Sequence, residues 1–206
     1  SRRAYLTIFS RPAGLLSHLV RLVAHEKNIA NINVEYLRPG EENEDLLTLK
    51  VDTVSELPVL IDRQLVLTDV RTILEYLDER FPHPPLMPID PSERAAARQA
   101  VEEIRGEFYK MATIIETGSA AKVRAARKSL LSGLTGLATS MGGRKFFLGS
   151  DISLVDCAMA PILWRLPTMG VQIPASAENL NEYAQPLFVR PAFKASLTEI
   201  EEGLRG

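Results

Sequence analysis

The chain has 206 residues, 46% of them apolar and 24% charged, so it can bury a core without disulfides or metal. Its 24 basic and 26 acidic residues leave a net charge of −2, which excludes a global positive field for nucleic acid. The single cysteine, Cys157, excludes an intramolecular disulfide and every multi-cysteine metal site, and makes a cytoplasmic address the expectation.

The amino-terminal run SRRAYLTIFSRP is basic, but its apolar stretch is shorter than a signal-peptide core and far shorter than a membrane span, so neither export nor membrane insertion is expected. Within it, AYLTIF reads as a short strand. After a Pro-Ala-Gly loop, LLSHLVRLVAHEKN repeats Leu16, Leu19, Val20 and Val23 at helical spacing. INVEYL alternates Ile32, Val34 and Tyr36 as a strand does, and the acidic stretch ending in EDLLTLK fits one short helix. PVLI and LVL, separated by Asp62, Arg63 and Gln64, read as a hairpin. Thr68 or Asp69 then caps a helix whose stripe is Val70, Ile73, Leu74, Leu77 and Phe81. This order of elements, over residues 1–84, is that of an α/β thioredoxin-like domain.

Five prolines fall between positions 82 and 91, and residues 85–91 read as a stiff linker. From 92 to 206 strong helix formers replace strand patterns. PSERAAARQAVEEIRGEFYKMATII starts with Ser92 as its cap, and AAKVRAARKSLLSGLTGLATSM, SLVDCAMAPILWRL and FVRPAFKASLTEIEEGLR continue as helices. The second half is therefore expected to be an all-α domain.

Pro58 heads a strand although it cannot donate to a ladder; it either starts the strand or forms the cis-proline of a thioredoxin-like groove, where the backbone of Leu57 pairs with an extended ligand. Ser153 and Asp156 have capping-box spacing, with Ile152 and Cys157 placed as a hydrophobic staple, so Ser153, Asp156 and Cys157 read as structural. His18 and His25 lie seven residues apart on the first helix, without a partner at metal-ligand spacing, and are expected to pack or face solvent. Lys122, Arg124, Arg127 and Lys128 form a basic face that reads as solvated.

The thioredoxin-like half with ELPVL, the helical half with the SLVD box and the linker between them together resemble the glutathione transferase fold over essentially the whole chain. Within that superfamily, LDERFPHPPLMP and ISLVDCAMAPILWRLP resemble the stringent starvation protein A family of bacterial RNA-polymerase-associated proteins. The resemblance implies no required cofactor, a homodimer, the RNA polymerase holoenzyme as partner in the starvation and acid stress response, and no direct DNA contact.

The departures from a working transferase weaken any glutathione site. Where transferases carry Glu or Gln followed by Ser, this chain has Asp69 and Val70, and Val70 offers no hydroxyl to the ligand carboxylate, a loss of about 1–3 kcal/mol. Ser10 stands at the catalytic position after the first strand, with Arg11 beside it; it either donates to a glutathione thiolate or only opens a turn. Ser10, Leu57, Pro58, Asp69 and Val70 are thus the remnants of a glutathione site that binds weakly if at all, and glutathione-dependent transfer or peroxidation through Ser10 is the rival function.

In Pro82-His83-Pro84 each proline forces its predecessor into extended backbone. The run is either an interdomain spacer or a stiff partner surface; the resemblance implies the surface, with Tyr76, Phe81 and Leu86 as neighbours in a pocket wall.

Overall fold

The computed structural model describes residues 6–53 and 57–205. Ala4 and Tyr5 of the first expected strand, Glu56 of the ELPVL run and the final Gly206 lie outside the described residues. Strands β1 (Thr7–Ser10), β2 (Asn33–Tyr36), β3 (Val59–Asp62) and β4 (Leu65–Leu67) form one sheet in the order β2-β1-β3-β4. β1 runs parallel to β2 and antiparallel to β3, and β3 is antiparallel to β4. The hairpin loop is two residues, with Arg63 at φ 58°, because Asp62 still belongs to the ladder.

Strand alternation divides the apolar residues between the two faces. Ile8 and Leu60 join the main core, under helices α1 (Leu15–Glu26) and α3 (Val70–Arg80). Phe9, Val59 and Ile61 turn to the other face and meet Leu37 and Leu46, the latter on the short helix α2 (Glu44–Thr48). Asp69 caps α3, as one of the two expected residues, by accepting from Thr72 N.

The second half is helical: α4 (Pro91–Ile104), α5 (Lys110–Thr117), α6 (Ala120–Ser140), α7 (Leu154–Arg165), α8 (Glu178–Phe188), α9 (Pro191–Ser196) and α10 (Glu199–Glu202). The cap of α4 is Asp90, not Ser92: its carboxylate accepts from Ser92 N and Glu93 N, and Pro91 takes the first helical position, where a missing N–H costs nothing. α4 and α5 are joined by a π-helical turn, Arg105–Tyr109, that delivers Phe108 and Tyr109 to the core. The last expected helix is broken. Leu197 is extended at ψ 132°, and Thr198 with Glu201 forms a capping box that starts α10 afresh.

The main core is continuous across both halves, from Ile8 and Leu60 to Leu163 and Phe193. α1 lies at its centre, packed on β1 and α3 on one side and on α7 and α9 on the other. Glu75 of α3 also pairs with Arg98 of α4 at 2.9 Å across the seam. No helix among the described residues is long and apolar enough to cross a membrane, and none of their His, Cys, Asp and Glu side chains cluster in threes as a metal site requires.

Candidate functional site

α3 ends at Arg80 with Phe81 as its C-cap, and Pro82, His83, Pro84 and Pro85 follow at the surface, all exposed. The three prolines carry no N–H, so most of this loop can be anchored only through its carbonyls. The Pro84 carbonyl accepts from Lys27 Nζ. The same ammonium donates to Asp78 Oδ1 at 2.8 Å, and that oxygen also accepts from Leu86 N–H at 2.9 Å. Leu86 O in turn accepts from Leu154 N–H, at the first turn of α7. The loop is therefore pinned on both sides of Pro85 while its ring faces stay in water. The Leu57–Pro58 and His83–Pro84 peptides are both cis.

Lys27 and Asp78 were not singled out by motif or spacing, yet they hold the loop. The signal was available: Lys27 continues the Val20, Val23 and Ala24 face of α1, and Asp78 stands at i+4 from Leu74 within the buried stripe of α3. Charges of opposite sign at two positions that periodicity assigns to the core require each other.

The expected neighbours of the loop divide. Phe81 is half-buried, with the Arg80 guanidinium 4.9 Å from its ring centroid. Tyr76 is drawn toward the hairpin, where its hydroxyl donates to Asp62 Oδ2 at 2.5 Å; burial first, and then this bond, raise its pKa. Leu86 does not form a pocket wall: only 1% of it is exposed, because its backbone is tied to Asp78 and Leu154 and its side chain belongs to the main core.

The residues expected for a glutathione site divide between the core and the surface. Ser10 is completely buried; its Oγ donates to Arg11 O at 2.8 Å and accepts from Arg21 Nε at 3.0 Å, which leaves the hydroxyl no proton for a thiolate. Val70 is a core residue. Asp69 is exposed, but it accepts from both the hydroxyl and the backbone N–H of Thr72, and these two bonds lower its pKa. Pro58 is buried and Leu57 packs against the smaller core cluster.

Ser10 is the outer end of a buried charge network. Arg21 Nη2 and Arg165 Nη2 both donate to Glu201 Oε2, at 2.8 and 2.5 Å, and Arg21 Nη1 donates to Ser196 O. His18 is neither solvated nor a ligand. Arg165 Nη1 lies 2.8 Å from its Nδ1, and because a guanidinium only donates, Nδ1 accepts and Nε2–H donates to Ser196 Oγ at 3.0 Å. Burial, followed by the nearby Arg165 and Arg21 charges, holds the His18 pKa well below its ordinary value. Thr198, which opens α10, donates its hydroxyl to Pro12 O at 2.6 Å, so the carboxy-terminal segment is fastened over the loop after β1.

At the start of α7, Ser153 and Asp156 form a reciprocal capping box, with Val155 N donating to Ser153 Oγ and Ser153 N to Asp156 Oδ2. The second carboxylate oxygen of Asp156 accepts from Phe147 N at 2.9 Å and Tyr183 OH at 2.5 Å. Burial nonetheless outweighs these bonds and raises the Asp156 pKa. Cys157 is fully buried and its thiol is pushed well above its ordinary range by desolvation, the state of an apolar side chain rather than a nucleophile.

Residues 8–85 match the family model of the glutathione S-transferase N-terminal domain, and residues 94–185 that of the glutathione S-transferase C-terminal domain. A stringent starvation protein A homolog of Coxiella burnetii is 40% identical over 205 residues, covering 99% of this chain and 97% of the relative. One from Pasteurella multocida is 37% identical over 198 residues, covering 96% and 92%. Among solved structures, the Tau class glutathione S-transferase MiGSTU of mango, Mangifera indica, superposes with a TM-score of 0.82 at 21% identity, covering 99% of this chain and 96% of that one. Glutathione transferase Omega 3C of Trametes versicolor does so with a TM-score of 0.82 at 20% identity, covering 96% and 86%. The chain belongs to the glutathione S-transferase superfamily, and within it to the stringent starvation protein A family.

Proposed function

We propose that the protein is a non-enzymatic regulator of transcription that binds the RNA polymerase holoenzyme through the Pro82-His83-Pro84 loop and acts in the starvation and acid stress response. The observation that carries this reading is the loop itself: three exposed rings and an imidazole on a backbone pinned by the buried Lys27 ammonium. A segment ordered before it docks loses little conformational entropy on binding, so the anchoring favours recognition over mere spacing. The family membership supports the partner, which is what the resemblance of LDERFPHPPLMP implies.

The transferase neighbours favour a second reading, glutathione-dependent transfer or peroxidation through Ser10. Against it stand the buried Ser10 hydroxyl and the core position of Val70. The working molecule is a cytoplasmic homodimer with two-fold symmetry, built from a thioredoxin-like domain ending near residue 84 and a helical domain starting near 92. Sedimentation at micromolar concentration tests the dimer. Retention of purified bacterial RNA polymerase holoenzyme by the immobilised chain tests the function; a polymerase that flows through with the void volume contradicts it.

A further inference from the structure

The 146–149 turn of the helical domain is built onto the same two supports as the Pro-His-Pro loop. Phe146 and Gly149 exchange backbone hydrogen bonds at 2.9 and 3.1 Å, closing a tight turn with Phe147 and Leu148 at its tip. Phe147 N–H is held by Asp156, two residues beyond Leu154, whose own N–H holds the Leu86 carbonyl. The first turn of α7 thus fixes both segments. On the other side, Glu26 and Lys27 are consecutive at the end of α1. Lys27 holds Pro84, while Glu26 accepts the Arg190 guanidinium at 2.7 and 2.9 Å, and that guanidinium stands 5.6 Å from the centroid of the Phe146 ring. Two loops, one from each half of the chain, are thus each tied to the end of α1 and the start of α7.

What the turn presents is not what a turn needs. Tight turns favour Gly, Asn, Asp, Ser or Pro, whereas this one carries Leu148, 39% exposed. Arg144 and Lys145 precede it, both exposed; Arg144 is folded back onto the Phe147 carbonyl and Lys145 stands 5.3 Å from the Phe146 ring, so their charges are held at the turn. An apolar tip with two cations at its base, tied to the same two supports as a donor-poor proline edge, is complementary to a segment that carries carboxylates around an apolar residue.

We infer that the partner surface is composite: the Pro82-His83 edge and the Arg144–Leu148 turn bind one acidic, apolar-anchored segment of the partner together, Leu148 filling its apolar pocket and Arg144 and Lys145 facing its carboxylates. This rests on the polymerase reading given above. Two domains then meet the partner at once, and contact depends on how α1 and α7 hold them together.

The test measures the affinity of the immobilised full chain for purified bacterial RNA polymerase holoenzyme at low and high salt. The variants are Leu148→Ser, the pair Arg144→Glu with Lys145→Glu, and Lys128→Glu on exposed α6 as control. The charge-reversed pair should weaken binding at least tenfold, most steeply at low salt. Leu148→Ser should weaken it severalfold with little salt dependence, and Lys128→Glu should bind as the parent does. Circular dichroism and Leu148→Ser together separate loss of contact from loss of fold. Turn variants that bind like the parent, while the loop variant with Pro82, His83 and Pro84 replaced by Ala does not, overturn the composite surface and leave the polymerase reading intact. A parent chain that does not bind at all overturns both.

Discussion

Lys27 Nζ lies 2.8 Å from Asp78 Oδ1, with the ammonium wholly removed from solvent, and the same ammonium carries the backbone of the exposed proline loop. A buried cation is tolerated only when its counter-charge and its remaining hydrogen-bond partners are in place, and here they are the carboxylate and the Pro84 carbonyl. Removing Asp78 leaves the ammonium unpaired and Leu86 N–H without its acceptor. Asp78→Leu should therefore cost about 3–5 kcal/mol in urea unfolding, whereas Lys27→Met combined with Asp78→Leu should cost clearly less than the two single changes summed. Strict additivity would show that the pair is not a unit.

The His18 imidazole is expected to tilt the pH dependence of stability. Its folded pKa lies well below the ordinary value while the unfolded chain retains that value, so between the two the unfolded state binds a proton the folded state does not. Stability is therefore unaffected above about pH 6.5 and falls as pH drops below it, by about 1.4 kcal/mol per unit for one proton. His18→Gln keeps an acceptor toward Arg165 and a donor toward Ser196 but does not titrate. Its unfolding free energy should fall less steeply between pH 6.5 and 5; the residual slope comes in part from half-buried His25, whose pKa is lowered by burial and by Arg21. Parallel profiles for parent and variant would contradict this assignment.

Two glycines of α6 should respond with opposite sign to the same change. A Cβ on Gly136 meets no atom within 4 Å, so Gly136→Ala gains helix propensity of about 0.5–1 kcal/mol. A Cβ on Gly133 falls 2.6 Å from Cε1 of the buried Phe108 ring. Overpacking of about 1–3 kcal/mol then exceeds the propensity gain, and Gly133→Ala should lower the thermal midpoint while Gly136→Ala raises it. Two changes of the same sign would show that the Phe108 contact yields freely.

Conjugation of glutathione to standard electrophiles should be negligible. The Ser10 proton is engaged by Arg11 O, and its oxygen accepts from the Arg21 guanidinium, which cannot act as a base. Turnover that vanishes in Ser10→Ala would overturn the non-enzymatic reading.

The fold was legible where periodicity and caps agree. Phe9 and Ile8 alternate as strand residues must, Val70 to Leu77 repeat as a buried helix face must, and the Ser153-Asp156 spacing is reproduced as a reciprocal cap. Local signals failed where two neighbouring residues compete for one role. Asp90 rather than Ser92 caps α4, since its carboxylate reaches two N–H groups across Pro91. Thr198 with Glu201 outweighs the helical pattern around it and interrupts the last helix. The candidate loop was visible as a proline cluster, but its fastening was not. Lys27, Asp78, Arg21, Arg165 and Glu201 make pairings 36 to 180 residues apart, and single-element patterns carry no record of such distances. Leu86 was placed at the surface for the same reason: its inward position depends on the ties of its backbone to Asp78 and, from the helical half, to Leu154.

The most direct test of the account is equilibrium binding of purified RNA polymerase holoenzyme to the chain in which Pro82, His83 and Pro84 are all replaced by Ala. The loop is exposed and contributes little to the core, so this variant should keep the parent's circular dichroism and oligomeric state. Its affinity should fall at least tenfold, and His83→Ala alone should lose less, because the proline rings share the contact. A folded triple variant that binds polymerase as tightly as the parent would contradict the account and reduce the loop to a spacer between domains.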